Sequence, residues 1–338
     1  MIYTIVMPTY NSGRTIEKSI KSIREQNFDQ SEVEILVIDG GSTDNTLEIA
    51  RKYDATIMEN PMRLPEFAKK QGFAAAKGRY CMFLDSDEIL DSMDCLKRRQ
   101  EVFENHPKVK NINSTGAPAP RNATGVNRYS TRVAEPFSNF VYHFYNGDCY
   151  VKTMVKEFPF EVIEEDGYIF HYEHAQYYPL FDGQGNTFDI SYARQLQAEL
   201  GIDDITTDIF CTLVSHTGVS AILENDLCIH DQNMSVKTYL RKIKWKIKNN
   251  LFASECVGYS SRAKTQGHLS KRRLLFIPFC LTLIPVIINA VRLAVTEKDP
   301  YFLLDIFYTE ATFVMICFYM ALKILHVPVK MEKSYGRG

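Results

Sequence analysis

Short apolar runs alternate with helical periodicity through the first third of the chain. Ile2 to Met7 is a β-branched, apolar run stopped by Pro8, and Ile35-Leu36-Val37-Ile38 is a second one stopped by Asp39-Gly40-Gly41. Both predict strands buried on two faces of a parallel sheet. Between them Ile16, Ile20 and Ile23 recur at helical spacing behind the polar starter Asn11-Ser12, which predicts a capped helix. A second helix is expected from near Thr43-Asp44 to about Tyr53, with Leu47 and Ala50 inward. A third, from Pro65 to Ala76, ends at Lys77-Gly78 and feeds a strand over Arg79 to Leu84. This alternation implies right-handed crossovers, hence an α/β fold with a mostly parallel central sheet and helices on both faces.

The pattern then weakens. Residues 113 to 130 are rich in Asn, Ser, Thr, Gly and Pro and read as loop. Phe137 to Phe188 is dense in Tyr, Phe and His, and alternation such as Tyr168 to Tyr172 predicts shorter, antiparallel strands. Helical periodicity returns at Tyr192 to Leu200 and at Asp208 to Val214.

The last third changes character. Lys237, Arg241, Lys242, Lys244, Lys246 and Lys248 are interleaved with Leu240, Ile243, Ile247 and Leu251, a basic amphipathic helix of the kind that favours an anionic membrane surface. Leu274 to Val291 carries no charge and follows Lys271-Arg272-Arg273. A second apolar run, Tyr301 to Leu325, is interrupted by Asp305, Glu310 and Lys323. Basic flanks on both sides favour a spanning hairpin with cytosolic ends. The internal charges, with Pro278 and Pro285, favour helices lying in the interface. The expected organisation is an α/β domain over residues 1–232 (halves 1–110 and 111–232), a basic interfacial helix and linker over 233–270, and apolar membrane helices over 271–338.

A formal net charge of -2 across 338 residues gives no support for a nucleic-acid partner, whose footprint is a basic domain. Eight cysteines are scattered without a CxxC or a regular framework, the pattern of reduced, mostly buried thiols. No basic stretch followed by an apolar segment precedes the first strand, so the N-terminal part is expected on the cytoplasmic side of a cell membrane. Sequons at Asn113, Asn122 and Asn233 are then chance occurrences.

Asp85-Ser86-Asp87 follows the apolar run Tyr80 to Leu84, where ligands of open α/β sheets bind. Mg²⁺ or Mn²⁺ takes one or two carboxylates together with substrate phosphates. On an extended segment the two aspartates would point the same way and address one ion; the plainer reading is a turn. In Asp39-Gly40-Gly41-Ser42-Thr43-Asp44 the glycines admit a ligand to the backbone and the helix start offers free N–H groups. Asp39 is free to accept from a base N–H, and Thr43 or Asp44 caps the helix.

Val6-Met7-Pro8-Thr9-Tyr10-Asn11, Val37 to Asp44 and Phe83 to Asp87 resemble, in order and spacing, the three signatures of family 2 inverting glycosyltransferases with the GT-A fold. The resemblance spans residues 1 to about 110, and more loosely to about 250. It implies that Pro8, Thr9, Tyr10, Asn11, Asp39, Gly40 and Ser42 hold the nucleotide, that Asp85, Ser86 and Asp87 meet the metal-diphosphate, with Asp85 and Asp87 on the metal, and that 111–232 forms the acceptor half. Where many members carry Ala-Arg-Asn, this chain has Ala68-Lys69-Lys70; Lys69 replaces the arginine's charge without its planar fork.

Gly218 and His230 match later family marks, which puts the family's catalytic acidic motif at Thr206-Thr207-Asp208. The usual Glu-Asp pair is absent, so Asp208 is the candidate base, Asp204 the next, and Glu164-Glu165-Asp166 the third. The same resemblance places His230 near the donor phosphates and Gly183, Gln184, Gly185 and Asn186 in an acceptor-side loop. His171 and His174 lack further ligands at zinc spacing. No Gln-x-x-Arg-Trp occurs around the single Trp245, which favours transfer of one sugar over processive synthesis. Arg241 and Lys242, on the basic helix, are candidates to steer an anionic acceptor head group.

The expectation is a metal-dependent inverting glycosyltransferase moving one sugar from a nucleotide-sugar to a lipid-linked glycan acceptor. A sugar-phosphate nucleotidyltransferase, which would carry a glycine-rich basic loop after the first strand, and a non-catalytic nucleotide- or glycan-binding module are the alternatives.

Overall fold

The computed structural model describes residues 1–142, 149–163, 167–175, 177–179, 184–232, 234–252 and 267–331. Gly183 and Glu164-Glu165-Asp166 therefore lie outside the described residues, as does most of the linker after the basic helix. The chain forms two compact units: Met1–Pro118 with Gly147–Asp231, and Ala119–Asn146 with Gln232–Gly338.

The first unit begins β1 (Tyr3–Thr9), α1 (Ile16–Arg24), β2 (Val33–Asp39), α2 (Thr46–Lys52), β3 (Thr56–Glu59), α3 (Pro65–Ala75) and β4 (Tyr80–Phe83). β1 pairs in parallel with β2 and β4, and β2 with β3. The period-2 alternation of a strand explains why the runs are apolar throughout. Ile5, Met7, Ile35 and Val37 enter one core with Ile16, Ile20 and Ile23 of α1. Val6, Leu36 and Ile38 enter the other with Ala68 and Phe73 of α3. Gly72 lets α3 approach the sheet, because a β-carbon there would lie 2.2 Å from Val6 Cγ1.

β5 (Glu88–Leu90), α4 (Cys95–Asn105) and β6 (Asn111–Asn113) follow. β6 corrects the expectation of loop from residue 113: it is buried between β9 (Thr187–Asp189) and β10 (Val219–Leu223). Its Asn111 and Asn113 amides are buried without hydrogen-bond partners, a polar strand that no apolar pattern announces. The unit also holds α7 (Cys149–Glu157), β7 (Phe160–Ile163), β8 (Gly167–His171), α8 (Ile190–Leu200), α9 (Ile209–Thr217) and β11 (Cys228–His230). The main sheet runs β3-β2-β1-β4-β9-β6-β10-β8-β7, and β11 pairs with β5 in a second, two-stranded sheet. Pairings β4–β9, β9–β6, β10–β8 and β8–β7 are antiparallel, so the sheet is mixed rather than mostly parallel.

The second unit is helical. α5 (Gly125–Val133) again corrects the loop expectation, which rested on turn formers, one of which, Thr124, instead caps α5; α6 (Pro136–Tyr142), like α7, is a helix in the stretch where short antiparallel strands were expected. The basic helix forms as α10 (Val236–Phe252). Its apolar stripe, Tyr239, Ile243 and Ile247, is covered by Tyr129, Phe302, Tyr308 and Tyr319 of its own unit, and the buried Lys248 donates to the Lys330 carbonyl.

The first apolar run is not one straight helix. It forms α11 (Phe276–Leu281) and α12 (Ile284–Thr296), bent by 96° at Leu283, whose φ is 58°, before Pro285 in the first turn of α12. The second run is one long apolar helix, Pro300–Ile324, whose regular part is α13 (Asp305–Ile324). Only 28% of its most apolar window is buried, and Phe307, Val314, Phe318 and Ile324 are exposed. Such a surface is consistent with membrane association.

Candidate active site

The C-terminal ends of β1, β2 and β4 lie side by side in the parallel register. After β4 the chain turns at once: the Glu88 N–H donates to the Asp85 carbonyl at 2.9 Å. Asp85 and Asp87 therefore sit on a turn and not on an extended segment. Asp85 Oδ1 faces Lys69 Nζ at 3.6 Å, whereas Asp87 Oδ2 faces His230 Nε2 at 3.5 Å. Ser86 is buried and donates to the Ser12 hydroxyl at 2.7 Å, tying this turn to the one after β1.

Glu88, which no sequence signature marks, is fully buried behind the pair and accepts the Asp85 N–H at 2.8 Å. Burial first, then the negative charges of Asp85 and Asp87, push its carboxyl well above the ordinary range. Burial pulls Lys69 the other way, but Asp85, Glu88 and Glu66 outweigh it and raise the ammonium, so Lys69 stays charged beside the acidic turn.

These residues suit a hard cation. Asp85 Oδ1 is buried with no hydrogen-bond donor, and two carboxylates at the strand mouth form the donor set that Mg²⁺ or Mn²⁺ takes beside phosphate oxygens. Among the described residues no three His, Cys, Asp or Glu side chains are gathered to hold an ion unaided.

The Asp39 turn is closed by its own hydrogen bonds. Oδ1 accepts the Thr9 and Ser42 hydroxyls, and Oδ2 accepts the Gly41 and Ser42 N–H groups at 2.9 and 2.8 Å. A carboxylate offers about four acceptor sites, so all are in use; a base N–H would displace one rotatable hydroxyl. Asn11, with φ of 49°, bridges the same loops, donating its N–H to Ser42 and accepting from Thr43 N–H. Pro8 pairs with Ile38 in the β1–β2 register, Gly40 donates to the Thr9 carbonyl, and Tyr10 is exposed at the mouth. Asp44, one residue before the N-cap Asn45 of α2, accepts from the Thr46 N–H and from the Gly13 N–H.

The two candidate bases differ sharply. Asp204 spends both oxygens on its turn, accepting from the Thr206 N–H and hydroxyl and from the Thr207 hydroxyl. Asp208, at the start of α9, caps nothing, and its Oδ1 is buried with no hydrogen-bond partner. The turn Thr206–Asp208 packs against α3, the helix that carries Lys69.

His230 is held at 2.5 Å by the Gln184 amide nitrogen on Nδ1. The loop Gln184-Gly185-Asn186 is framed from below: Ser114 donates its hydroxyl to the Gln184 carbonyl and its N–H to the Asn186 side chain, and Gly185 adopts φ of 61° against Cys228. Arg99, fully buried, donates to the Gly185 carbonyl and the Thr187 hydroxyl and pairs with Asp226 at 2.8 Å. Burial works against its charge, and Asp226 more than restores it. Nothing local in the sequence marks this pair, whose members lie on α4 and just before β11. Arg241 and Lys242 are half-buried on α10, in the helical unit.

The profile of the family Glycosyl transferase family 2 matches residues 4–149. The chain is 29% identical over 129 residues to the poly(ribitol-phosphate) beta-N-acetylglucosaminyltransferase TarS of Staphylococcus aureus, covering 35% of this chain and 22% of that protein. It is 30% identical over 130 residues to a poly(ribitol-phosphate) beta-glucosyltransferase of Bacillus spizizenii, covering 35% and 20%. The matched stretch thus spans about a fifth of these curated relatives. The mannosyltransferase PcManGT of Pyrobaculum calidifontis, solved with GDP-Man and Mn²⁺, superposes with a TM-score of 0.52 at 16% identity, covering 94% of this chain and 87% of that one. The fold is GT-A-like: a mixed central sheet flanked by helices, with one long apolar C-terminal helix added.

Proposed function

We propose that the chain is an inverting glycosyltransferase that moves one sugar from a nucleotide-sugar to a lipid-linked glycan, with a polyprenyl phosphate or diphosphate as the lipid. The observation that carries this reading is the paired Asp85 and Asp87 at the mouth of β1, β2 and β4, backed by Lys69 and His230. The turns after β1 and β2 receive the nucleoside. Mg²⁺ or Mn²⁺, held by Asp85 and Asp87, would offset charge on the leaving diphosphate. Lys69 adds positive charge on the same side.

Asp208 takes the proton of the acceptor hydroxyl as that oxygen attacks the anomeric carbon from the face opposite the diphosphate. Its unpartnered Oδ1 is an acceptor in need of a donor, which Asp204 is not. The loop of Gln184, Gly185 and Asn186, together with Gly183, lines the acceptor side, and Arg241 and Lys242 draw in an anionic head group. The apolar tail keeps the enzyme at the cell membrane where the lipid lies, with the α/β unit on the cytoplasmic side.

The test is a panel of UDP-, GDP- and TDP-sugars with a polyprenyl-diphosphate acceptor, following nucleoside diphosphate release and the anomeric configuration of the product. One donor should react with inversion, and chelation of the metal should stop transfer. Retained nucleotide binding without turnover of any sugar would replace this reading with a binding module.

A further inference from the structure

The helical unit contains a cavity of about 200 Å³ between α6, α11, α12 and α13. That is below the roughly 300 Å³ at which whole small-molecule sites begin, so it has room for a head group and not for a nucleotide-sugar. Its lining is unexpectedly polar for a unit whose outer surface carries exposed Ile284, Ile288, Val291, Phe307 and Val314. Arg272, Arg292, Asn289, Asp305 and Thr309 face it, with Phe140 among the apolar remainder.

The charges are arranged unequally. The Asp305 carboxylate is buried and already occupied: Oδ1 accepts from Tyr129 and Thr309, and Oδ2 from Asn289 at 2.9 Å. Arg272 stacks its guanidinium 5.5 Å from the Phe140 ring centre, which holds the fork in place. Among the described residues neither Arg272 nor Arg292 has a carboxylate within 4.0 Å. Among the described residues the cavity therefore presents two guanidinium groups without a carboxylate partner, Arg272 half-buried and Arg292 exposed, against one carboxylate that is already satisfied. Basic pockets between apolar helices take lipid head groups.

We infer that this cavity binds the phosphoryl head group of a membrane lipid, with Arg272 and Arg292 as its ligands and the acyl chains lying along the exposed apolar faces of α12 and α13. The site stands apart from the transferase reading, since none of its residues belongs to the α/β unit.

The test uses the full-length chain in detergent, with native mass spectrometry to count retained lipid. Three probes separate the sources: phosphatidylglycerol, diacylglycerol with the same tails and no phosphate, and inorganic phosphate. In about 1 M salt, where surface charges are screened beyond roughly 3 Å, phosphatidylglycerol should be retained and diacylglycerol should not. Each of Arg272→Gln and Arg292→Gln should weaken retention by about tenfold or more, the size of a lost charge-assisted hydrogen bond. The Arg272→Lys/Arg292→Lys variant, which keeps the charge without the fork, should fall between. Lys237→Gln/Lys244→Gln on the exposed face of α10 should behave as wild type. Unchanged retention in the folded double Gln variant, or equal binding of diacylglycerol, overturns the site. Displacement of phosphatidylglycerol by an equal concentration of inorganic phosphate overturns the lipid assignment.

Discussion

Two acidic turns of the α/β unit are built from similar residues and end in opposite states. At the end of β2, Asp39 has every acceptor position filled by Thr9, Gly41 and Ser42. At the start of α9, Asp208 keeps a buried oxygen with no donor, while its neighbour Asp204 is used up by Thr206 and Thr207. An unmet buried acceptor costs about 1–3 kcal/mol, a cost that the buried Asn111 and Asn113 amides of β6 carry as well. On the proposed reading, a substrate proton completes the shell of Asp208, and a cation that of Asp85, whose Oδ1 faces Lys69 at 3.6 Å.

The sharpest way to break that contrast is at Asp208. Asp208→Asn is expected to cut turnover about 10²- to 10⁴-fold, the usual worth of a general base, with donor affinity unchanged by calorimetry. Asp204→Asn should stay within about twofold of wild type, since asparagine caps as well as aspartate. If only the Asp204 variant loses transfer, the roles are reversed.

The framework side is tested by Arg99→Met, which leaves Asp226 buried and unpaired. It should lower unfolding free energy by about 3–5 kcal/mol in urea titration, and the Gly185 loop should lose protection in hydrogen exchange. Asp39→Asn is expected to cost about 1.5–3 kcal/mol through its charge-assisted bonds and to weaken all nucleotides alike. Selective loss for one base would make Asp39 a base reader as well as a turn former.

The smallest effect concerns acid stability. Burial works to raise the Asp44 carboxyl, but hydrogen bonds from Thr46 and the Gly13 N–H leave it below its ordinary 3.8. Its contribution is present above that value and is lost as pH falls through the depressed folded value. Asp44→Asn should therefore flatten part of the stability decline below about pH 4 in an acid melt, and leave neutral pH little changed.

Much of this molecule was legible in order along the chain. The runs at Ile2 to Met7 and Ile35 to Ile38, and the Ile16, Ile20, Ile23 stripe, appear as β1, β2 and α1, because a strand buried on two faces and a helix buried on one leave distinct periods. The acidic pair was equally visible. What escaped was polar or distant. β6 is an Asn-Ile-Asn strand paired on both sides, α5 begins in a stretch rich in turn formers, α6 lies in an aromatic stretch expected as strand, and Arg99 meets Asp226 across 127 positions. The extended geometry expected of Asp85 and Asp87 failed because the Glu88 N–H folds back on Asp85.

Sequence by itself determined the strand and helix periods, the placement of two aspartates after a buried strand, and an apolar tail with basic flanks, since each is a local pattern that needs no partner. Tertiary structure decided which carboxylates are spent and which are open, bent the first apolar run by 96°, and turned the stripe of α10 inward onto Tyr308 and Tyr319. Those outcomes depend on donors and apolar surfaces brought from remote parts of the chain, and a hydrogen bond or a packed face has no existence until both halves meet.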